Sequence, residues 1–130
     1  MRYANGALLE MPCHLALCVT EGAYRREMQR LKIDAHPPFT IDGKEATAHW
    51  FDNRKGGQHL AIVCIDRAAM VGCTGTQIAG LLVHEAVHVF QRICRALGEE
   101  SPSPEFEAYS IQRIAQDLMR LYVELTEGER

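Results

Sequence analysis

The sequence lacks the features of secreted, membrane-spanning and nucleic-acid-binding proteins. No stretch approaches the roughly 18 consecutive apolar residues of a membrane-spanning helix. The N-terminal region does not combine a basic segment with a sustained apolar run, as a secretory signal would. Cationic residues are not in excess, since 14 Lys and Arg stand against 17 Asp and Glu for a net charge of -3. We therefore expect a cytoplasmic protein with no nucleic-acid or membrane partner.

A disulfide framework is also missing. The five cysteines are odd in number, include no C-x-x-C pair and lie mostly in apolar runs, which predicts free, buried thiols in a reducing compartment. A chain of 130 residues, 47% of them hydrophobic, can bury a core without such crosslinks. We expect a single domain over residues 1–130.

Two segments in the middle of the chain have the composition of β-strands. Residues 46–52 and 59–66 are rich in β-forming side chains and are separated by a Gly-containing connection at 53–57, which predicts an antiparallel hairpin. Residues 60–65 are apolar without alternation, so this strand should be covered on both faces. A further short strand is favoured at 14–19.

Helical periodicity surrounds this hairpin. The predicted helices run from 21 to 33, from about 75 to 98 and from about 104 to 126. Thr74 and Gln77 fit a capping box at the start of the second helix, and Ser103 followed by Pro104 fits the start of the third. The short loop between these two helices favours antiparallel packing.

The most informative stretch is His84-Glu-Ala-Val-His88, an H-E-x-x-H pattern inside the second helix. Residues four apart share one face of a helix, so the imidazoles of His84 and His88 can converge on one metal ion. Glu85 then lies beside them, placed to take a proton from water. This is the chemistry of a zinc-dependent hydrolase.

An alternative explanation needs no metal. The helix is apolar around most of its circumference, so both histidines could be hydrogen-bonded core residues. Buried polar groups must find partners in either case, because leaving them unpaired costs about 2–7 kcal/mol. A metal ion would satisfy all three polar side chains at once.

A catalytic zinc usually takes three protein ligands, and H-E-x-x-H supplies two. Glu105 and Glu107 both stand in the first turns of the last helix, from which either could turn back toward the histidines. Glu107 falls near the centre of that helix's apolar stripe, whereas Glu105 falls on the adjoining face with Ala108 and Tyr109. A third possibility is that both glutamates serve only to complement the helix dipole.

These two segments together resemble the gluzincin metallopeptidases, whose third ligand is the Glu of an E-x-x-x-D motif on the helix after H-E-x-x-H. The resemblance covers about residues 74–125 and is closest to very small gluzincin-like proteins, some from phages and prophages, with HEAVHVFQ-like and EFEAYSIQ-like segments. Laid on that motif, Glu105 takes the ligand position.

The resemblance implies a minimal zincin-like domain of the α+β class. In it a small sheet with a β-hairpin packs on the H-E-x-x-H helix and on a C-terminal ligand helix. It implies Zn²⁺ held by His84, His88 and Glu105, with Glu85 as the general base. It also implies a peptide or protein substrate lying along an edge strand, which would be 59–66 or its partner. A phage-encoded chain would act in the host cytoplasm.

Two departures from the gluzincin pattern favour an alternative function. Tyr109 stands where those enzymes have the Asp that orients a histidine ligand, and no histidine follows His88 to stabilise an oxyanion. The alternative is a non-catalytic, zincin-like assembly or regulatory protein with structural or vestigial zinc.

Aromatic and histidine side chains on the hairpin have weaker signals. His49 and His59 could line a cleft, although single histidines on strands are more often surface or core groups. Trp50 and Phe51 could form a substrate pocket, although one of the pair is expected to be core.

Overall fold

The computed structural model describes residues 1–4, 13–41, 44–52 and 59–127. Within these ranges the chain forms an α+β structure, a mixed four-stranded sheet with three α-helices, which confirms the coarse class predicted above. The strands are β1 (Arg2–Tyr3), β2 (Cys13–Cys18), β3 (Ala46–Phe51) and β4 (His59–Ile65), and the helices are α1 (Glu21–Arg30), α2 (Gly75–Leu97) and α3 (Pro104–Thr126).

The strand order in the sheet is β1-β2-β4-β3. β3 and β4 pair antiparallel, as the hairpin prediction requires, whereas β2 and β4 pair parallel. The predicted connection at 53–57 lies outside the described residues. Among the described strands β4 has a neighbour on each side, so β3 is the strand of this pair that lies at the sheet edge.

Strand β4 is buried on both faces, as its apolar run predicts. Ala61, Val63 and Ile65 belong to the core cluster that includes residues of α2 and α3. Ile62 and Cys64 point the other way and pack with residues of α1. The sheet therefore separates α1 from the two long helices, and only the α2 side of the sheet bears on the H-E-x-x-H pattern.

Helix α1 is shorter than predicted. It ends at Arg30 rather than 33, because the backbone turns into the left-handed region at Lys32, with φ 59°. Glu27, which the hydrophobic pattern does not single out, is also buried. Its carboxylate accepts a hydrogen bond from the Tyr3 hydroxyl and pairs with Arg30, Nη2 to Oε2, at 2.6 Å. Glu27 thereby ties β1 to α1.

The ends of α2 and α3 follow their predicted signals. Thr74 caps α2 in a complete capping box with Gln77, and Gly98 ends it with a left-handed φ of 71°. Ser103 caps α3. The start of α3 then folds back on α2, where the rings of Phe90 and Phe106 lie 5.8 Å apart.

All five cysteines are free, and four of them are buried. Within the described ranges no helix combines the length and the apolar character needed to cross a membrane.

Candidate metal and catalytic site

The two histidines of the H-E-x-x-H pattern meet on one face of α2. Their Nε2 atoms lie 3.2 Å apart and their rings are 4.8 Å apart, edge to face. Both side chains are exposed. The sequence alternative of two histidines hydrogen-bonded inside the core therefore does not describe this pair.

The distance between the two nitrogens fits a shared metal. Two nitrogen ligands of one tetrahedral zinc, each about 2.0–2.1 Å from the metal, lie about 3.3–3.4 Å apart. The Nε2 atoms of His84 and His88 are separated by nearly this distance. Neutral imidazole nitrogens are also among the donors that zinc prefers. The residues present thus fit two of the zinc ligands.

Gln91 holds one of the two rings in a ligand tautomer. Its Oε1 lies 3.3 Å from Nδ1 of His88, and because an amide oxygen only accepts, this contact fits the tautomer in which Nδ1 carries the proton. The lone pair of His88 is then on Nε2, where the metal would bind. The H-E-x-x-H pattern does not include Gln91, although its position three residues after His88 places it one turn further along the same face.

We expect Gln91→Ala to weaken zinc binding about tenfold or more, because the ring of His88 loses the acceptor that orients it. Gln91→Glu should keep the affinity, since a carboxylate accepts the same Nδ1–H. Competition with a chromophoric zinc chelator measures both. Gln116→Ala, at an exposed position of α3, is the control, and equal affinity in Gln91→Ala and this control would contradict the role given to Gln91.

Glu85 lies on the buried side of α2 and is 4% exposed. Its Oε2 has no hydrogen-bond partner within the described part of the chain. Burial raises the pKa of the Glu85 carboxyl, while positive charge at His88, His84 and Lys44 acts in the opposite direction. An unpaired buried polar group costs about 1–3 kcal/mol or more. Packing within the described residues does not explain this cost.

An open cleft of about 810 Å³ lies between β3 and α2, with His84, Glu85 and His88 in its wall. Residues 44–50 form the opposite side. The sequence left open whether 59–66 or its partner borders the substrate path. The structure places the partner strand, β3, at both the sheet edge and the cleft.

The third predicted ligand does not join the histidine pair in this structure. Glu105 and Glu107 are both exposed, and neither lines the cleft. Across the described ranges there is no group of three or more His, Cys, Asp or Glu side chains arranged to hold a metal. Tyr109 is 67% exposed and makes no hydrogen bond to either imidazole there. Glu105 as third ligand therefore stays a prediction.

Glu107 lies near the C-terminal part of α2. The pKa of the Cys94 thiol is raised, first by burial and then by the negative charges of Glu99 and Glu107. Cys94 stands six residues after His88, about 9 Å further along the helix axis. The charge of Glu107 thus acts at a later turn of α2 than the one that carries the histidines.

The hairpin histidines and aromatics divide between the two faces of the sheet. His49 is buried on the α1 side, where Nε2 lies 2.9 Å from the Phe39 carbonyl and burial lowers its pKa. Phe51 packs on that side too. Trp50 lines the cleft, and the ring of His59 lies 5.3 Å from it. One aromatic of the pair is thus on the core side, as expected, and the other faces the cleft.

The geometry defines a class of site, a pair of helical imidazoles next to a buried carboxylate in an open cleft. Comparison of the chain with models of protein families, with curated proteins and with solved structures finds no match. The assignment of function therefore rests on the residues of the site.

Proposed function

We propose that this chain is a zinc-dependent peptide hydrolase of the gluzincin type. One observation carries the proposal. The Nε2 atoms of His84 and His88 lie 3.2 Å apart, and the buried, unpaired carboxylate of Glu85 lies beside them in an open cleft. A structural role for any one of these side chains would not require the other two to be there.

His84 and His88 would hold the zinc through Nε2, with Glu105 as the predicted third ligand. Bound zinc supplies two things, a water made acidic enough to attack near neutral pH and a Lewis acid for the carbonyl oxygen. The protein's own part at His88 would be to keep Nε2 unprotonated, and the Gln91 amide oxygen near Nδ1 favours that tautomer.

Glu85 would act as the general base and then as the acid. Its carboxylate takes a proton from the attacking water and passes it to the nitrogen of the departing amine. Burial suits it to both steps, since a raised pKa brings the carboxyl closer to the pH at which it must accept and release a proton.

Strand β3 would align the substrate. As an edge strand bordering the cleft, it offers backbone N–H and C=O groups with which an extended peptide can pair. Such pairing recognises the peptide backbone rather than one side chain. A peptide or protein substrate is therefore favoured over a small metabolite.

The non-catalytic alternative requires a closed zinc site with four protein ligands. The histidines line an open cleft, in which one position beside them stays accessible to water and substrate. An open position favours the hydrolase. The alternative rests on two departures from the gluzincin pattern, Tyr109 in place of an Asp and the absence of a histidine after His88.

The proposal predicts one zinc per chain. Elemental analysis of the purified protein should find it, and added zinc should raise the melting temperature, since a ligand at 100 times its Kd contributes about 2.7 kcal/mol to the free energy of unfolding. His84→Ala and His88→Ala should lose both effects, and acidification should release the metal because a protonated imidazole cannot ligate. His14→Ala, exposed on β2, is the control. Absence of zinc together with no thermal shift would rule the proposal out.

A further inference from the structure

The two ends of the cleft differ in charge. The end near the start of β3 carries both Lys44 and Glu45, so its charges balance. The other end is lined by Arg92 and Arg95, which follow His88 by four and seven residues on the same face of α2. Within the described residues neither arginine pairs with a carboxylate. A protein of net charge -3 thus presents a cationic end to its cleft.

A contact with an aromatic ring orients the Arg92 side chain. Its guanidinium carbon lies 5.6 Å from the centre of the Trp50 ring, a cation–π contact across the cleft from α2 to β3. The indole N–H of Trp50 donates to Asp52 at 2.9 Å, and Asp52 in turn contacts His59 at 3.3 Å. The ring is therefore held from its other edge. A guanidinium stacked on a ring keeps its N–H groups free to bind a carboxylate in two-pronged fashion.

We infer that the cleft selects substrates with a carboxylate close to the bond that is cleaved, and that Arg92 and Arg95 bind it. The inference rests on the proposed function and names the substrate class of the same site. Along α2 the two arginines lie about 6 and 10 Å beyond His88. An extended peptide advances about 3.3 Å per residue, so the carboxylate belongs two to three residues from that bond.

Two sources can supply this carboxylate, an Asp or Glu side chain or the C-terminus of the substrate. Both present the same planar anion to the guanidinium. They differ in consequence, because recognition of an internal acidic residue makes the enzyme an endopeptidase, whereas recognition of the terminus confines it to the ends of chains.

Trp50 is a built-in reporter for the test, since it is the one tryptophan of the chain and a ligand on Arg92 must alter its surroundings. The protein is used zinc-loaded and as Glu85→Gln, so that it binds peptides without cleaving them. The probes are short acetylated alanine peptides with one Glu at successive positions and a C-terminal amide, and their Gln counterparts. An all-alanine peptide with a free C-terminus and its amide form the second arm.

We expect a carboxylate peptide to bind about tenfold or more tightly than its uncharged counterpart. The preference should fall to about twofold or less when Arg92→Gln and Arg95→Gln are combined, because both partners of the anion are gone. Arg92→Lys should retain part of it. Arg95 is exposed, so Arg95→Gln alone tests the inference without risk to folding, and it should reduce the preference. Arg26→Gln, exposed on α1, is the matched control and should keep the preference intact.

The two arms assign the source of the anion. A preference confined to the Glu peptides identifies an internal acidic residue, and one confined to the free terminus identifies terminal recognition. Equal affinity for charged and uncharged peptides, no binding of any carboxylate peptide, or a preference that survives the double variant would overturn the inference. A zinc-binding, active protein without the preference refutes only the inference, whereas a preference in a protein that binds no zinc refutes only the proposed function.

Discussion

Glu85→Gln is expected to keep zinc bound and to reduce peptide hydrolysis by a factor of about 100 or more. Glutamine preserves the shape of the side chain but cannot take a proton from water. The imidazoles of His84 and His88 are untouched by the change, so zinc stoichiometry should stay at one per chain. Turnover of a peptide cleaved by the unaltered protein, measured beside zinc content, checks both parts.

Glu45→Gln is the matched control, since Glu45 lines the same cleft but at its end near the start of β3. It removes one negative charge from the cleft without removing the base, and its effect on turnover should be small. Full activity in Glu85→Gln would refute the mechanism. Loss of zinc in that variant would instead assign Glu85 to the metal site.

The same variant has a thermal readout that does not depend on a substrate. Burial raises the pKa of Glu85 in the folded protein, so its contribution to stability is present at low pH and is lost as pH rises through the folded pKa. At neutral pH the unpaired carboxylate therefore costs stability. Without zinc at pH 7, the melting temperature of Glu85→Gln should equal or exceed that of the unaltered protein. A lower melting temperature would mean that Glu85 has a stabilising partner.

Local signals explain why much of the fold could be predicted. The ends of α2 follow from Thr74, Gln77 and Gly98, residues whose capping preferences act within one turn. The two-sided burial of β4 follows from an apolar run with no alternation. In each case the information lies within a few residues of the feature that it predicts.

What could not be predicted depends on contacts between distant segments. That β3 rather than β4 lies at the edge of the sheet follows from the parallel pairing of β2 with β4, and nothing in the hairpin itself specifies a third strand. The burial of Glu27 depends on Tyr3, 24 residues away. The stacking of Arg92 on Trp50 likewise joins a strand to a helix, and each residue alone has several ordinary explanations.

The identity of the third metal ligand depends both on a local motif and on contacts between distant segments. The gluzincin motif selects Glu105, whereas the apolar stripe of the last helix favours Glu107, and the two differ by less than one helical turn. The negative charge of Glu107 acts on Cys94, at a later turn of α2 than the histidines. Glu105 stands two residues nearer the loop that joins the two helices, so this contact does not separate the two candidates. Between them, Phe106 packs on Phe90 and keeps the first turn of α3 close to α2. The gluzincin motif is therefore the ground for choosing Glu105.

Glu105→Ala should therefore lose zinc at concentrations that saturate the unaltered protein. The affinity of two imidazoles for a zinc ion is lower by orders of magnitude than that of three ligands. Glu107→Ala should retain zinc and cost only about 0.3–1 kcal/mol of stability, the value of an acidic side chain in the first turn of a helix. Zinc stoichiometry and melting temperature of the two variants, prepared side by side, separate the assignments.

Loss of zinc in Glu107→Ala with retention in Glu105→Ala would reverse the assignment, and α3 would then have to turn its apolar stripe toward the metal. Retention in both would move the third ligand elsewhere, with Asp66 and Glu100 as the next carboxylates. Asp66 already accepts a hydrogen bond from the Ala69 N–H at 3.4 Å as the cap of a short helical turn. Ligating zinc would cost Asp66 that cap, whereas Glu105 has no such bond to give up within the described residues, and on this ground too Glu105 is the carboxylate expected to complete the site.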